Sequence, residues 1–346
     1  MAKPAPDWDA LFQRQSGWIG ADGAYSIPLS TNLTLWLFGD TFIGGIKGGK
    51  RINARMINNS IALQRGTNQP EFFYRTTPEG KADSFFKPQD GRGYIWPFHG
   101  VRTGKKLYLF LHQMENVKTG GPFGFRFVAN WFAVIANPDE PPLQWHITQI
   151  KLPFTQITSG GELVFGSAVM MRGGNVYIFG TDSRGGLKKS GLGRDMVLAK
   201  VDAAKIEDFN RWHFWAGDKW EKDFTKVTPL VEGMASEFSV SFQPTLKQFV
   251  LVYTEGGLSG NILLRTAPAA EGPWSEATLV YQCPEKDLPV KAFCYAAKAH
   301  PELPAAPNEL LITYAANSWD FANLINEPRL YWPRFVCLKW DRAPAQ

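Results

Sequence analysis

The chain alternates apolar and polar residues over short runs that are separated by turn-forming residues, which is the pattern of β-strands. In "GWIGADGAYSIPLSTNLTLWLFGDTF", residues 17–42, two such runs flank the turn-forming "STN" and predict a hairpin. Helical periodicity is scarce, and "VDAAKIEDFNRW" predicts at most one short helix or turn on a loop. The pattern therefore predicts an all-β protein.

One strand motif recurs along the chain as "TLWLFGD", "KLYLFLH", "NVYIFGT", "QFVLVYT" and "ELLITYA". The central aliphatic residues of successive copies are separated by 72, 69, 73 and 61 positions. A strand-like run precedes each copy, and one or two more follow it. Repeats of this length predict a five-bladed β-propeller. We expect a single domain over residues 1–346, with blades at roughly 17–90, 91–155, 156–232, 233–285 and 286–340.

Two acidic residues lie at the open end of the first hairpin, Asp22 near the start of its first strand and Asp40 at the end of its second. Two registers are open. In one, Asp22 faces Thr41 and Asp40 faces Gly23, whereas a loop shorter by one residue sets the two acids opposite each other. Opposed residues have Cβ atoms about 4.5–5.5 Å apart. Two carboxylates this close repel, so one tends to hold a proton, which suits acid/base chemistry.

Polar residues also stand at the strand ends of the later repeats, where a propeller would gather them around one mouth of its axis. Converging polar groups of this kind are typical of binding sites. Glu237 begins a first strand although Glu is a poor strand former, which makes it a third catalytic candidate. The candidates for substrate binding are His99, Trp96, Asn59, His112, Asp182, Arg194 and Trp319. Structural roles stay open for each of them, such as a strand-start hydrogen bond for Asn59 or a turn for Asp182.

Composition and the absence of known motifs exclude several classes of function. The net charge of +5 comes from scattered basic residues, which predicts no nucleic-acid partner. No run approaches the roughly 20 apolar residues of a membrane span. The chain contains no nucleophile elbow, metalloprotease motif, phosphate loop or dinucleotide fingerprint. We expect no cofactor and no catalytic metal, leave open a structural cation near the axis, and expect a monomer.

The three cysteines, Cys283, Cys294 and Cys337, have no metal-ligand spacing. Cys294 and Cys337 fall near the C-terminus and could pair, although buried free thiols are the favoured interpretation.

The segments "WIGADGAYSIPL", "LWLFGDTFIG" and "NNSIAL" resemble the opening blade of a group of five-bladed propeller proteins. These are bacterial domains of unknown function related to glycoside hydrolases, and one such family cleaves D-arabinan internally. The resemblance implies that Asp22 and Asp40 are the acidic pair of such an enzyme. A looser resemblance extends to propeller arabinanases, xylosidases and fructosidases, which use three acids. Asp22 and Glu237 match two of these, whereas His99 stands where an acid of the second blade is expected.

We therefore predict a bacterial glycoside hydrolase that degrades a polysaccharide or oligosaccharide, arabinan-like by the resemblance. Asp22 is assigned as the nucleophile and Asp40 as the acid/base, with the reverse order open. The alternative is a carbohydrate-binding propeller without catalysis, which needs the aromatic and amide side chains but no close acid pair. A secreted or periplasmic location is expected. The N-terminal "MAKPAPDWDALF" lacks the apolar core of a signal peptide, but a chain that had lost its signal would begin in the same way.

Overall fold

The computed structural model describes residues 1–118, 124–187 and 192–340. The strands before residue 90 are β1 (Lys3–Pro4), β2 (Ser16–Ala21), β3 (Tyr25–Ser30), β4 (Leu33–Phe38), β5 (Thr41–Lys47), β6 (Lys50–Ile57), β7 (Ser60–Arg65), β8 (Glu71–Phe73), β9 (Arg75–Thr76) and β10 (Ala82–Asp83). The next are β11 (Tyr94–Thr103), β12 (Lys106–Asn116), β13 (Phe125–Ile135), β14 (Ile147–Lys151), β15 (Gln156–Thr158), β16 (Gly161–Arg172), β17 (Asn175–Asp182), β18 (Arg194–Asp202), β19 (His213–Trp215), β20 (Trp220–Glu221) and β21 (Val231–Met234).

The remaining strands are β22 (Phe238–Gln243), β23 (Gln248–Thr254), β24 (Asn261–Ala267), β25 (Thr278–Gln282), β26 (Ala292–Ala299), β27 (Glu309–Ser318) and β28 (Arg334–Lys339). Two short α-helices are described, α1 (Pro6–Phe12) and α2 (Phe321–Asn326). The segment "VDAAKIEDFNRW" contains two single turns of 3-10 helix, Ala203–Lys205 and Phe209–Arg211. The prediction of an all-β fold is thus confirmed.

Seven antiparallel sheets are described, two of them small (β9 with β10, and β2 with β5 and β6), and the other five follow one another along the chain. The first pairs β3, β4, β7 and β8, the second β11 to β14, and the fourth β22 to β25. The third is larger, with β15 to β20 in order and β21 beside β18, whereas the repeat predicted four strands. The fifth contains β26, β27, β28 and the N-terminal β1. The copies of the repeated motif form β4, β12, β17, β23 and β27, and each of these pairs with the strand that precedes it in the chain.

The sheets are arranged so that their inner strands are neighbours. β3 contacts β11, β11 contacts β16, β16 contacts β22, and β22 contacts β26. Contacts between side chains join the last sheet to the first, because Nδ1 of His300, the residue after β26, lies 2.5 Å from Oγ of Ser26 on β3. The polar groups of the five inner strands are thereby brought toward a common centre.

Apolar clusters fill the spaces between neighbouring sheets, which is where such folds bury most surface. The cluster between the fifth sheet and the first includes α1, whose Phe12 is fully buried. The ring of Phe12 lies 5.0 Å from that of Trp36 on β4 and 5.1 Å from that of Phe335 on β28. The N-terminal segment therefore packs between the first and last sheets and links them. Its sequence did not predict this role.

The first hairpin has the shorter-loop register. Tyr25 pairs with Leu37 and Pro28 with Thr34, and the amide of Asp22 donates to the carbonyl oxygen of Asp40 at 3.2 Å. The register that set Asp22 against Thr41 is wrong. Beyond the two acids the hairpin strands continue as β2 and β5, which form a separate three-stranded sheet with β6. The acids therefore lie at the junction between two sheets.

All three cysteines are free, and Cys283 and Cys294 are buried. The alternative in which Cys294 pairs with Cys337 does not occur. None of the helices in the described ranges is long and apolar enough to cross a bilayer.

Candidate active site

The chain bends sharply next to the acid pair. Gly23 and Ala24 adopt positive φ angles of 82° and 54°, which interrupts the strand between β2 and β3. The left-handed conformation suits Gly23 and is uncommon for Ala24. The bend and the junction together leave Asp22 and Asp40 half-buried, each with part of its surface open to one cavity.

Asp22 is held by two tyrosine hydroxyls from the last sheet region. Tyr295 donates to Oδ2 at 2.7 Å and Tyr331 donates to the same oxygen at 3.1 Å. Burial, together with the charges of Asp40 and Glu237, raises the pKa of Asp22 to about 8, although the two tyrosine hydrogen bonds act in the lowering direction. Asp22 is thus protonated near neutral pH.

Asp40 has a different set of partners. Its Oδ1 accepts hydrogen bonds from Nδ2 of Asn58 at 3.1 Å and from Nε1 of Trp96 at 3.0 Å. Burial raises the pKa of Asp40 to about 6, and the two donors lower it. Both donors are N–H groups that cannot accept a proton, so they favour the ionised carboxylate. Asp40 therefore ionises before Asp22.

A cavity of about 450 Å³ contains both acids, a size typical of small-ligand sites. Its polar lining includes Glu237 and Glu162, so four acidic side chains face one space. Its wall also contains seven aromatic residues, Trp96, Phe98, Phe125, Phe127, Phe293, Tyr295 and Tyr331. The cavity combines a wide apolar surface with a few charged groups, which is the make-up of a site for an amphipathic ligand such as a sugar.

Glu237 is paired with a buried lysine. Nζ of Lys298 on β26 lies 3.0 Å from Oε1 of Glu237, and the lysine side chain is only 2% exposed. Glu237 itself keeps 20% of its side chain exposed. All three acids that the sequence proposed as catalytic thus face the same cavity. Glu237 differs from the other two because its charge is balanced by Lys298.

Three of the predicted substrate-binding residues line the cavity: Trp96, His112 and Arg194. His112 stacks on Phe98 with ring centroids 3.8 Å apart. Burial lowers the pKa of His112 to about 3, so the ring is neutral. Arg194 donates to Oε1 of Glu162 at 3.4 Å.

Asn59 does not line the cavity and is fully buried. Its Nδ2 donates to the carbonyl oxygens of Phe86 and Ile95, each at 2.9 Å, and its Oδ1 accepts from the amide of Phe86 at 2.7 Å. Both N–H groups and the oxygen of the Asn59 amide are thus bonded to backbone. These bonds join the first sheet to the segment that leads into the second sheet. The structural interpretation of Asn59 fits these contacts, and the ligand interpretation does not.

His99 lies beneath the cavity among the inner strands. Nε2 is 3.1 Å from the carbonyl oxygen of Ser26 on β3, and Nδ1 accepts from the amide of Val169 on β16 at 2.8 Å. Both nitrogens are thus bonded to backbone, and neither is directed to the cavity. Asp182 is likewise used locally, because it binds the guanidinium of its neighbour Arg184 through both oxygens at 2.9 and 2.6 Å. Neither residue lines the cavity, so their predicted contacts with substrate have no support from these positions.

Trp319 stands outside the cavity but beside it. It is 48% exposed, and its ring centroid lies 4.7 Å from that of Phe293, which lines the cavity. Phe321, two residues further on, is 55% exposed. These two aromatic rings extend the apolar surface from the cavity wall onto the rim.

Two charged residues of the site were missed in the sequence. Glu162 begins the inner strand β16 in "GGELVFGS", much as Glu237 precedes the inner strand β22 in "ASEFSVSF", and this shared position was a usable signal. Lys298 lies within the apolar "CYAAKAH" and carries no local signal of a partner. In the described ranges, no three His, Cys, Asp or Glu side chains are grouped as metal ligands.

The chain belongs to a family described as a domain of unknown function, DUF5005, which matches residues 6–340. No curated protein matches the chain. Among solved structures, a proposed hydrolase from Bacteroides ovatus has a TM-score of 0.77 and 17% identity over 98% of this chain and 90% of that one. The catalytic domain of a GH62 α-L-arabinofuranosidase from Coprinopsis cinerea has a TM-score of 0.52 and 10% identity, covering 97% and 96% of the two chains.

A xylan β-1,4-xylosidase from Bacillus halodurans C-125 has a TM-score of 0.54 and 13% identity, over 95% of this chain and 54% of that one. At these identities the likeness is one of fold. The protein therefore has the propeller-like fold that glycoside hydrolases of this kind share.

Proposed function

We propose that the protein is a glycoside hydrolase built on a five-bladed propeller, with the five sheets as its blades and the cavity at the mouth of its axis. The observation that carries the proposal is the pair Asp22 and Asp40, opposed across one hairpin and both open to the cavity. Two neighbouring carboxyl groups in unlike environments are the arrangement that most glycoside hydrolases use. Such a pair is costly for folding, so a use for it is expected.

The hydrogen bonds support different roles for the two acids. Asp40 accepts from two N–H groups and is the ionised carboxylate, which acts as nucleophile or base. Asp22 has hydroxyl partners, which accept as well as donate, so it can carry the proton that the leaving oxygen needs. This order is the reverse of the one favoured from the sequence, and it follows from contacts made by residues far away in the chain.

The cross-strand position of the acids favours retention of configuration. Opposed Cβ atoms are about 4.5–5.5 Å apart, close to the carboxyl separation of about 5–5.5 Å in retaining enzymes. The NMR spectrum of the first-formed product distinguishes the outcomes, because retention gives the anomer of the substrate and inversion the opposite one. An inverted product would contradict direct attack by Asp40.

The substrate class is proposed as a polysaccharide or oligosaccharide, with arabinan-like chains first. Support comes from the resemblance of the opening blade to arabinan-cleaving propellers and from the aromatic cavity wall. The fold is shared with a protein described as an arabinofuranosidase and another described as a xylosidase, so arabinoxylan and xylan belong in the same screen.

The test is a screen of soluble polysaccharides with detection of new reducing ends. Wild-type protein is compared with Asp40→Asn and with a matched control, Asp139→Asn, whose carboxylate is 71% exposed at a surface ion pair. We expect hydrolysis by the wild type and the control and none above background by Asp40→Asn. Equal activity in all three would show a contaminant or a different site.

Binding without catalysis is the second candidate, and the exposed rings of Trp319 and Phe321 beside the cavity favour it. It predicts that the wild type is retarded in gels that contain a polysaccharide but releases no reducing ends. In that case Asp22→Asn would bind as the wild type does. Loss of binding in Trp319→Ala, with or without hydrolysis, would place the sugar on this rim.

A further inference from the structure

The buried ion pair beneath the acid pair has no counterpart in a mechanism that uses two carboxylates alone. Besides its contact with Glu237, Nζ of Lys298 donates to the carbonyl oxygen of Ala296 at 2.8 Å. It also lies 4.3 Å from the ring centroid of Tyr25. Lys298 does not line the main cavity but a much smaller one below it. The ammonium is therefore fixed on three sides under the floor of the cavity.

The groups that surround Lys298 come from several inner strands. Glu237 precedes β22, Tyr25 lies on β3, His99 lies on β11, and His300 directly follows β26. Burial and the charge of Lys298 both lower the pKa of His99 and of His300, so both rings are neutral. Burial also lowers the pKa of Lys298, and the charges of Glu237 and Asp22 oppose that shift. The carboxylate that pairs directly with Lys298 is Glu237, at 3.0 Å.

We propose that Lys298 is a positioning residue that fixes Glu237 as a charged, non-reacting part of the cavity wall. This inference rests on the proposed hydrolase function. The related three-acid arrangement would make Glu237 the proton donor, but a carboxylate bonded at 3.0 Å to a buried ammonium is a poor source of a proton. Proton donation then belongs to Asp22, and Glu237 acts on the reaction through its charge.

The geometry gives this role a measurable consequence, because the charge of Glu237 acts on Asp22. In Glu237→Gln the negative neighbour is lost and Lys298 remains, so the pKa of Asp22 falls. In Lys298→Met the positive neighbour is lost, so the pKa of Asp22 rises. The double variant removes both charges and returns the pKa of Asp22 toward that of the wild type.

The experiment measures these shifts in two ways. Titration of 13C-labelled Asp carboxyls by NMR, assigned with Asp22→Asn, follows Asp22 without any substrate. The alkaline limb of the kcat/KM profile follows it during turnover. We expect shifts of about one pH unit in opposite directions for Glu237→Gln and Lys298→Met. We also expect Glu237→Gln to keep activity within about tenfold of the wild type, far above Asp22→Asn.

The proposal is overturned if Glu237→Gln abolishes turnover as Asp22→Asn does, or if it leaves the titration of Asp22 unchanged. Should Lys298→Met fail to fold, the isosteric Glu237→Gln decides the question alone. If the wild type hydrolyses no glycan, the hydrolase proposal fails, while the NMR titration still reports whether the ion pair sets the charge on Asp22.

Discussion

The acid pair Asp22 and Asp40 differs from the nearby polar residues Asn59 and His99 in what the polar atoms contact. Asp22, Asp40 and His99 are half-buried, and Asn59 is fully buried. Asp22 and Asp40 keep surface open to the cavity, and the charge of Asp40 raises the pKa of Asp22. Asn59 and His99 use their polar atoms to join neighbouring strands. The difference teaches that burial alone does not separate a reacting group from a structural one. What separates the two kinds of group is whether polar atoms remain available to contact a ligand.

The largest effect that tests this contrast is expected at the acids. Asp22→Asn and Asp40→Asn should each lower kcat by about 10²–10⁴-fold, the range for losing general acid/base catalysis. Neither should unfold the protein, because replacing one of two adjacent buried acids removes a repulsion. Circular dichroism and initial rates on the substrate found in the screen give both numbers. A variant with near-normal turnover would remove its residue from the mechanism.

The next largest effect is expected at Asn59, where a substitution should lower stability and leave catalysis intact. Asn59→Ala leaves two carbonyls and one amide without their partner, which should lower the free energy of unfolding by about 3 kcal/mol. The folded fraction should retain its specific activity. Urea denaturation monitored by tryptophan fluorescence measures the loss.

The adjacent residue provides a matched control for Asn59. Asn58→Ala removes a donor to Asp40, so it should lower activity and change the stability little. If the two variants behaved alike, the distinction between a structural and a reacting polar group would not hold at these positions.

The repeat in the sequence predicted most of the fold, because each second strand is a short apolar run whose spacing survives in every sheet. It did not predict β1, since two residues, Lys3–Pro4, carry no periodicity. It also missed the β2, β5 and β6 sheet as a separate unit. The β5 sequence "TFIGGIK" contains two glycines, and its apolar and polar residues alternate only weakly. The strand β2 becomes its partner because the bend at Gly23 and Ala24 separates β2 from β3.

The candidate site was predictable where the signal was local. Asp22 and Asp40 are neighbours through one hairpin, so the register alone brought them together. His99, Asn59 and Asp182 resembled site residues in composition. Their partners lie on other strands, or on the next turn for Asp182, and a single sequence does not show which polar atoms those partners occupy. The roles of the two acids depend on Tyr295, Tyr331 and Trp96, and the assignment from the sequence was open for that reason.

A smaller effect tests how far catalysis depends on the exact position of the Asp22 carboxylate. A Cβ atom at Gly39 would lie 2.4 Å from Oδ1 of Asp22, so Gly39→Ala must displace the carboxylate while leaving its chemistry in place. We expect kcat to fall by about 10- to 100-fold, as for other small misplacements of reacting groups. Gly45→Ala is the control, because its Cβ would meet Ile52 at an ordinary 3.5 Å. Equal loss in both variants would indicate general damage to the hairpin.

The smallest effect is graded with pH and distinguishes the two acids. Hydrolysis requires Asp40 ionised and Asp22 protonated, so kcat/KM should rise through about pH 6 and fall through about pH 8. The residual activity of Asp40→Asn should lack the acid limb, and that of Asp22→Asn the alkaline limb. Interchanged limbs would restore the order first favoured from the sequence.

The free energy of unfolding also depends on pH, and the pKa shift of Asp22 sets the direction of the change. The pKa of Asp22 rises from 3.8 to about 8 on folding, so between these pH values the folded state holds a proton that the unfolded state has lost. The unfolded state binds fewer protons, and the free energy of unfolding therefore falls as the pH rises from about 4 toward 8. In Asp22→Asn this fall should be smaller, and the variant should be relatively more stable at pH 8 than at pH 4. Thermal melts of the two proteins across this range measure the difference, and parallel curves would mean that Asp22 titrates in the folded protein as it does in water.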